Sequence, residues 1–363
     1  MPLFDHYEVH TVPRLKTLLG MAKFVDNPIP VINEALNKYG PTYITRIVNG
    51  SKLLMTIDPE VIQHVLQKNH RNYKKSAIQT ESLGKYIGNG LLTANGAYWL
   101  QQRRLIQPGF HKSKMEGLVQ TMHLELQSFI EDLSVRVKER STIDISDAMM
   151  ELTLRIVSKS LFSTGISPRQ IEELGRTFTL LQQYIIKEVR QPMFNWWRQL
   201  SGASTQALKL AEETKNILRV IIADRQANPH DADDLLDMLI NSTYGDTGEK
   251  MTDQQLLDEA LILFTAGHET TANTLAWTLY ELTNAPDVVS LIRKEYDHIK
   301  LEGIHMSTLM SASYTKMVLS ESMRLYPPAW ILDRVALEDD RVKNISIKKG
   351  DLIGMYVLSL IHI

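Results

Sequence analysis

Cysteine is missing from all 363 residues. That excludes disulfides, zinc knuckles, thiol nucleophiles and iron–sulfur ligation within the chain. Charge of one sign is also lacking: the formal net charge of −2 offers neither a nucleic-acid footprint nor attraction to an anionic membrane surface. Long hydrophobic runs are absent too. The most apolar N-terminal piece, Leu18 to Val25, falls far short of a spanning helix and carries Lys23. Residues Met1 to Val25 lack the charged, apolar, then small order of a leader peptide. The expectation is a cytoplasmic protein with no transmembrane anchor and no nucleic-acid partner. What remains, 44% hydrophobic and 23% charged residues, suits an ordinary globular protein of one large or two medium domains with a sizeable core.

No repeat or low-complexity tract interrupts the chain. Ile29 to Tyr39 has helical spacing and stops at Gly40-Pro41, while Tyr43 to Val48 and Lys52 to Ile57 alternate around Asn49-Gly50, a hairpin signal. Asp58-Pro59-Glu60 opens a helix with Asp58 as cap and proline at its first position. His70 to Asn95, polar and glycine-bearing, reads as a long loop. From Trp99 to Ala285 the pattern is helical, with apolar residues three and four apart in segments near 113–138, 146–163, 168–188, 204–227 and 252–284. After Leu325, Tyr326-Pro327-Pro328 stops a helix, and strand-like runs follow at Trp330 to Ala336 and Leu352 to Val357. The fold class is mainly α (α+β): helix-rich, with strands from both ends of the sequence sharing small sheets.

The longest helix carries the strongest local signal. Thr252 and Gln255 form a capping box, and the stripe Leu256, Leu257, Ala260, Leu261, Phe264 follows. Some 30 residues at 1.5 Å each span roughly 45–50 Å, enough to cross a domain. Its middle reads Ala266-Gly267-His268-Glu269-Thr270-Thr271, a glycine, an acid and two hydroxyls that neither helix propensity nor core packing favours. Position 272 is Ala, so His268-Glu269 does not complete the H-E-x-x-H zinc motif, and no metal ligand is assigned. Two readings stay open. Gly267 permits a close helix crossing while Thr270 and Thr271 bond back to carbonyls. Alternatively, Ala266, Gly267 and Thr270 make one face for a flat ligand, with Glu269 and Thr270 as a proton path. Further on, Glu321 and Arg324 lie three apart on a helix. Met317 and Leu325 on the same face, with Tyr326-Pro327-Pro328 following, suggest a buried pair.

Taken in order, Trp99-x-x-x-Arg103, Arg104, Pro108-Gly109-Phe110, Ala266-Gly267-x-Glu269-Thr270-Thr271, Glu321-x-x-Arg324, Pro327-Pro328-Ala329-Trp330 and Arg334 resemble the cytochrome P450 superfamily over nearly the whole chain. The resemblance implies that fold, b-type haem, and insertion of one atom of O2 into an apolar organic substrate. It also implies electrons from a ferredoxin, flavodoxin or reductase. By resemblance, Ala266 and Gly267 face the haem, Glu269 and Thr270 deliver protons to dioxygen, and Trp99, Arg103 and Arg334 bind the haem carboxylates. Glu321 and Arg324 would brace the structure. Ala329, Trp330 and Ile331, with residues 70–95, would touch substrate. Arg103, Arg104, Lys112 and Lys114 read equally as a solvated face or as a docking patch for an acidic electron donor.

The resemblance also implies an axial cysteine that this sequence does not contain, so the expectation is an inactive fragment lacking its haem-ligand segment. Residues 1–357 are expected to form the partial cytochrome P450 domain and 358–363 a non-native tail. Leu358-Ser-Leu-Ile-His-Ile363 can be encoded by CTG TCT CTT ATA CAC ATC, the end of a transposon adapter, although a genuine strand would read the same. A helical binding or scaffold module that has lost haem is the alternative, and the polar Glu269–Thr270 pair within an apolar helix argues against it.

Overall fold

The computed structural model describes residues 7–46, 51–139, 142–229 and 234–358. Helices and strands follow the sequence periodicities closely. Before the first strand lie α1 (Arg14–Asp26) and α2 (Pro28–Tyr39), the latter capped by the Asn27 side chain, which accepts from the Ile29 amide at 3.1 Å. Strands β1 (Thr42–Arg46) and β2 (Lys52–Thr56) pair antiparallel from Thr42↔Thr56 to Arg46↔Lys52; the Asn49-Gly50 turn expected between them lies outside the described residues. In α3 (Pro59–Gln63), Asp58 accepts from the Glu60 amide at 2.9 Å, as the capping signal predicted.

Residues 70–95 are not the long loop expected. They hold β3 (Tyr73–Lys74), a wide helical turn at Ile78–Leu83 and α4 (Gly84–Ile87). The polar sequence misleads because these short pieces are held by partners far along the chain. The carboxylate of Asp333, for example, accepts from Ser76 Oγ at 2.8 Å and Gln79 Nε2 at 2.7 Å.

The helical stretch comprises α5 (Gly96–Ile106), α6 (Lys112–Glu139), α7 (Ile145–Phe162), α8 (Pro168–Arg190), α9 (Asn195–Leu200), α10 (Ala203–Ala227), α11 (Leu235–Asn241), α12 (Asp253–Leu282), α13 (Pro286–Glu302), α14 (Met306–Ser311) and α15 (Ser313–Leu325). The capping box of α12 forms in both directions: the Gln255 amide donates to Thr252 Oγ1 at 3.3 Å, and the Thr252 amide to Gln255 Oε1 at 2.9 Å. Four further strands follow among the described residues: β4 (Leu332–Ala336), β5 (Asp340–Val342), β6 (Ile345–Ile347) and β7 (Leu352–Met355). Of the tail expected at 358–363, only Leu358 is described; its amide donates to the Trp330 carbonyl at 3.2 Å.

The chain divides into two compact units. The smaller gathers Met1–Leu83, Tyr184–Thr205 and Ala329–Ile363 around a sheet of order β1-β2-β7-β4-β3. Strand β7 runs parallel to β2 and antiparallel to β4, so the two sequence ends do share a sheet. Leu54, Val61, Tyr73, Ile353 and Met355 belong to its core. The larger unit, Gly84–Gln183 and Gln206–Pro328, is helical. Here α12 packs on α7, with Ala272 against Met149 and Leu152 in one cluster.

A buried ion network ties α10 to α11. Arg225 donates through Nη1 to Asp237 at 2.6 Å and through Nη2 to Asp234 at 2.9 Å and to the Phe162 carbonyl at 3.2 Å. Asp234 also caps α11, accepting from the Asp237 amide at 2.9 Å. Removing the cation strands a buried carboxylate, which typically costs about 3–5 kcal/mol. Arg225→Ala should therefore lower the free energy of unfolding in urea by about that amount, whereas Arg219→Ala, an exposed partner of Glu212, should leave the urea midpoint nearly unchanged.

Candidate functional site

The first half of α12 is buried almost all round, from Leu256 to Phe264. Coverage then stops: Ala266, Gly267, Thr270 and Thr271 are exposed, Glu269 is half-buried, and burial resumes at Ala272. Both threonines satisfy themselves within the helix, Thr270 Oγ1 donating to the Ala266 carbonyl at 2.9 Å and Thr271 Oγ1 to that of Gly267 at 2.8 Å. Gly267 is demanded by packing, since a β-carbon there would lie 2.8 Å from Val157 Cγ2 of α7. The close crossing and the back-bonded hydroxyls thus both exist, and Ala266 and Thr270 present an uncovered polar face beside them. Glu269 is fastened separately, its carboxylate accepting a hydrogen bond from the Gln182 side-chain amide of α8.

His268 points to the opposite side. It is buried edge-on to Phe178 and tilted against Phe264, and its Nδ1 donates to the Phe264 carbonyl at 3.0 Å. Burial pushes its pKa down, partly countered by that hydrogen bond and by Glu269.

Trp99 and Arg103 occupy successive turns of α5, with the guanidinium 5.7 Å from the indole centroid. Arg103 and Arg104 are exposed, and Gln102 just before them is buried, donating to the Tyr244 hydroxyl at 2.8 Å. In the smaller unit, Arg334 on β4 is half-buried, and its Nη1 donates to the Asp333 carbonyl at 2.6 Å. Burial lowers its pKa, and the Asp333 charge only partly offsets this. Ala329 is exposed, whereas Trp330 and Ile331 pack against the cluster of Ile32, Leu36, Tyr43, Met55 and Tyr356. The Trp330 ring meets Tyr356 edge-on at 6.0 Å.

One expectation is overturned. Glu321 and Arg324 are not buried: their side chains are 57% and 44% exposed in this chain. They close a two-point ion pair, with Arg324 Nε donating at 2.7 Å and Nη2 at 2.6 Å. The apolar neighbours misled because Met317, one turn before Glu321, is itself 59% exposed. Helix α15 turns Ser322 inward, leaving the pair on its outer side. Arg324→Ala should accordingly leave the urea midpoint of this chain close to that of the parent.

Three side chains that matter here carried no motif. Gln182 sits in an amphipathic helix where nothing local marks it as the partner of Glu269. Asp258 and Glu259 interrupt the apolar run of α12 and are only 6% and 0% exposed. Two acids inside an apolar stripe are a usable warning, since a buried charge demands partners.

The depressed pKa of His268 sets a pH dependence. Above the ordinary histidine value of about 6.5, folded and unfolded chains are both neutral at this site and its contribution is fully present. Below it the unfolded chain binds a proton that the folded one resists, so stability falls as pH drops toward the folded pKa. Urea unfolding followed from pH 7 to 5 should show a shallower pH dependence in His268→Phe than in the parent, by up to one proton.

The comparisons with known proteins agree on one family. The Cytochrome P450 family model matches residues 11–362. The chain is 29% identical to the cyclooctat-9-en-7-ol 5-monooxygenase of Streptomyces melanosporofaciens over 314 residues, 86% of this chain and 67% of that protein. With a cytokinin hydroxylase of Arabidopsis thaliana it shares 31% over 334 residues, 90% of this chain and 64% of that protein. The chain thus spans about two thirds of the length of these relatives. The crystal structure of the cytochrome P450DA heme domain superposes with a TM-score of 0.77 at 20% identity, covering 97% of this chain and 77% of that one, which establishes the shared fold. Motif order, helix architecture and family match converge: the chain belongs to the cytochrome P450 family.

Proposed function

We propose that this chain is the greater part of a haem-dependent monooxygenase that inserts one atom of O2 into an apolar organic substrate. Its electrons would come from a ferredoxin, flavodoxin or reductase, and its axial cysteine from sequence outside these 363 residues. The observation that carries the reading is the middle of α12, where the helix, buried from Leu256 to Phe264, uncovers Ala266 and Thr270 beside a carboxylate held from α8. The family match and the monooxygenase and hydroxylase names of the relatives support it.

Donors suited to the haem carboxylates are present in each unit. Trp99, Arg103 and Arg334 carry the N–H donors that carboxylates prefer. Arg334, a cation disfavoured by burial, would gain most from an anion. The iron side is not met from within this chain, which has no cysteine. Bound haem would supply the activation of O2. The chain's own residues hold and move protons. With its proton on the Ala266 carbonyl, the Thr270 hydroxyl turns its lone pairs outward, and rotation about one bond lets it pass a proton on. Glu269, oriented by Gln182, is the acid that resupplies it. Ala329, Trp330 and Ile331 are assigned to substrate contact, as is the segment 70–95, and Trp330 and Ile331 also pack against the Tyr356 cluster. The exposed Arg103 and Arg104 suit an acidic electron donor.

The test has two arms. Expressed as it stands, the chain should give no thiolate-type spectrum when reduced under carbon monoxide. Joined at Val357 to the C-terminal segment of a relative, it should give one, and Thr270→Ala in that protein should keep the spectrum while uncoupling O2 consumption from product. A joined protein that folds and binds haem without the thiolate signal would refute the assignment. Unchanged coupling would remove Thr270 from it.

A further inference from the structure

The two buried acids of α12 take no part in the face just described, and both are spent on one loop. The Asn89 amide donates to Asp258 Oδ2 at 2.9 Å and the Leu91 amide to Glu259 Oε2 at 3.0 Å. Gln254 Nε2 completes the Asp258 carboxylate from one turn before, at 2.7 Å. Such close approach needs glycine on the loop. Gly88 has φ +88°, and a β-carbon there would fall inside the Asp258 carboxylate; one on Gly90 would lie 2.6 Å from Glu259. The loop is then knotted on itself: Thr93 Oγ1 donates to the Gly88 carbonyl at 2.7 Å, and the Ala94 amide to the Gly90 carbonyl at 2.7 Å.

Helix α5 starts two residues after Ala94. One face of it is fastened by Tyr98, whose hydroxyl donates back to the Asn89 carbonyl at 3.2 Å, and by Gln102, bonded to Tyr244. Trp99 and Arg103 each follow one of these anchors by a single residue, so the orientation of the pair is inherited from loop 88–93. That loop in turn hangs on two carboxylates of α12.

We propose that Asp258 and Glu259 are positioning residues: a carboxylate latch that fixes loop 88–93 and, through Tyr98, the angle at which α5 presents Trp99 and Arg103. The functional weight of that angle rests on the reading of Trp99 and Arg103 under Proposed function; the latch itself does not. A buried carboxylate bonded to backbone amides is stronger than a neutral bond, and its removal leaves donors unsatisfied. Loop and helix α5 should therefore loosen together while the rest of α12 stays closed.

The experiment uses the 363-residue chain with fluorinated tryptophan, the Trp99 resonance being assigned from Trp99→Phe, together with site-resolved amide exchange. Glu259→Ala should speed exchange at Asn89 and Leu91 by about tenfold or more relative to α12 and α7, and should move or broaden the Trp99 resonance. Glu259→Gln, which keeps an acceptor, should restore both. Gly90→Ala leaves the acid in place but forces loop and carboxylate apart, so it should reproduce the Glu259→Ala signature and decides the matter if that variant does not fold. Unchanged exchange at residues 88–91, a uniform rise across α7 and α12, or a Trp99 resonance indifferent to Glu259→Ala and Gly90→Ala would each overturn the latch. None of these readouts involves haem, so they stand or fall independently of the thiolate spectrum that tests the monooxygenase reading.

Discussion

Where α12 crosses α7 at Gly267, backbone and side chain meet so closely that Val157 fills the space a β-carbon would need. Much of the larger unit depends on that contact. Around it, Leu256 to Phe264 are largely buried, His268 lies inward against Phe178 and Phe264, and Ala266 and Thr270 are exposed. With 3.6 residues per turn, choosing the face for position 267 chooses the face for 270 and 271 as well. The residues proposed to handle protons thus stand beside a packing contact on the neighbouring side of the same turn.

Polar groups buried or half-buried in this unit are tied down by partners on other segments. Glu269 is held from α8 by Gln182, Asp258 and Glu259 by the amides of Asn89 and Leu91, and Arg225 by two aspartates. Each arrangement satisfies a charge that burial would otherwise penalise. Each also connects a long helix to another segment of the unit. The consequence is functional as well as energetic, because the segments so connected, α5 above all, carry side chains that the proposed chemistry uses.

The smaller unit obeys a different constraint. A parallel pair, β2 and β7, joins strands some 300 residues apart, and β4 is placed between β7 and β3 by pairing alone. Arg334 therefore stands in the middle of a sheet, half-buried, where its charge is disfavoured. Trp330 and Ile331, just before β4, become part of the core around Tyr356. Trp330, a substrate contact by resemblance, is thereby tied to the packing of this unit.

Local chemistry was legible in the sequence wherever neighbours decide it. The capping box at Thr252 and Gln255, the Asp58 cap, the strand alternation of residues 43–46 and 52–56 and the helical segments between 113 and 284 depend on side chains within one or two turns, and they formed as read. The motif order was enough to point to the family. Burial was not legible. The Glu321–Arg324 pair has apolar neighbours four residues away, but whether anything covers that face depends on which elements pack there. Residues 70–95 looked like loop because their order comes from Asp333, Asp258 and Glu259, which lie 170 to 260 residues downstream by number. Periodicity reports what a segment can bury. Only the tertiary structure decides which face is buried and which distant donor answers each charge, because both are set by contacts between segments that share no local pattern.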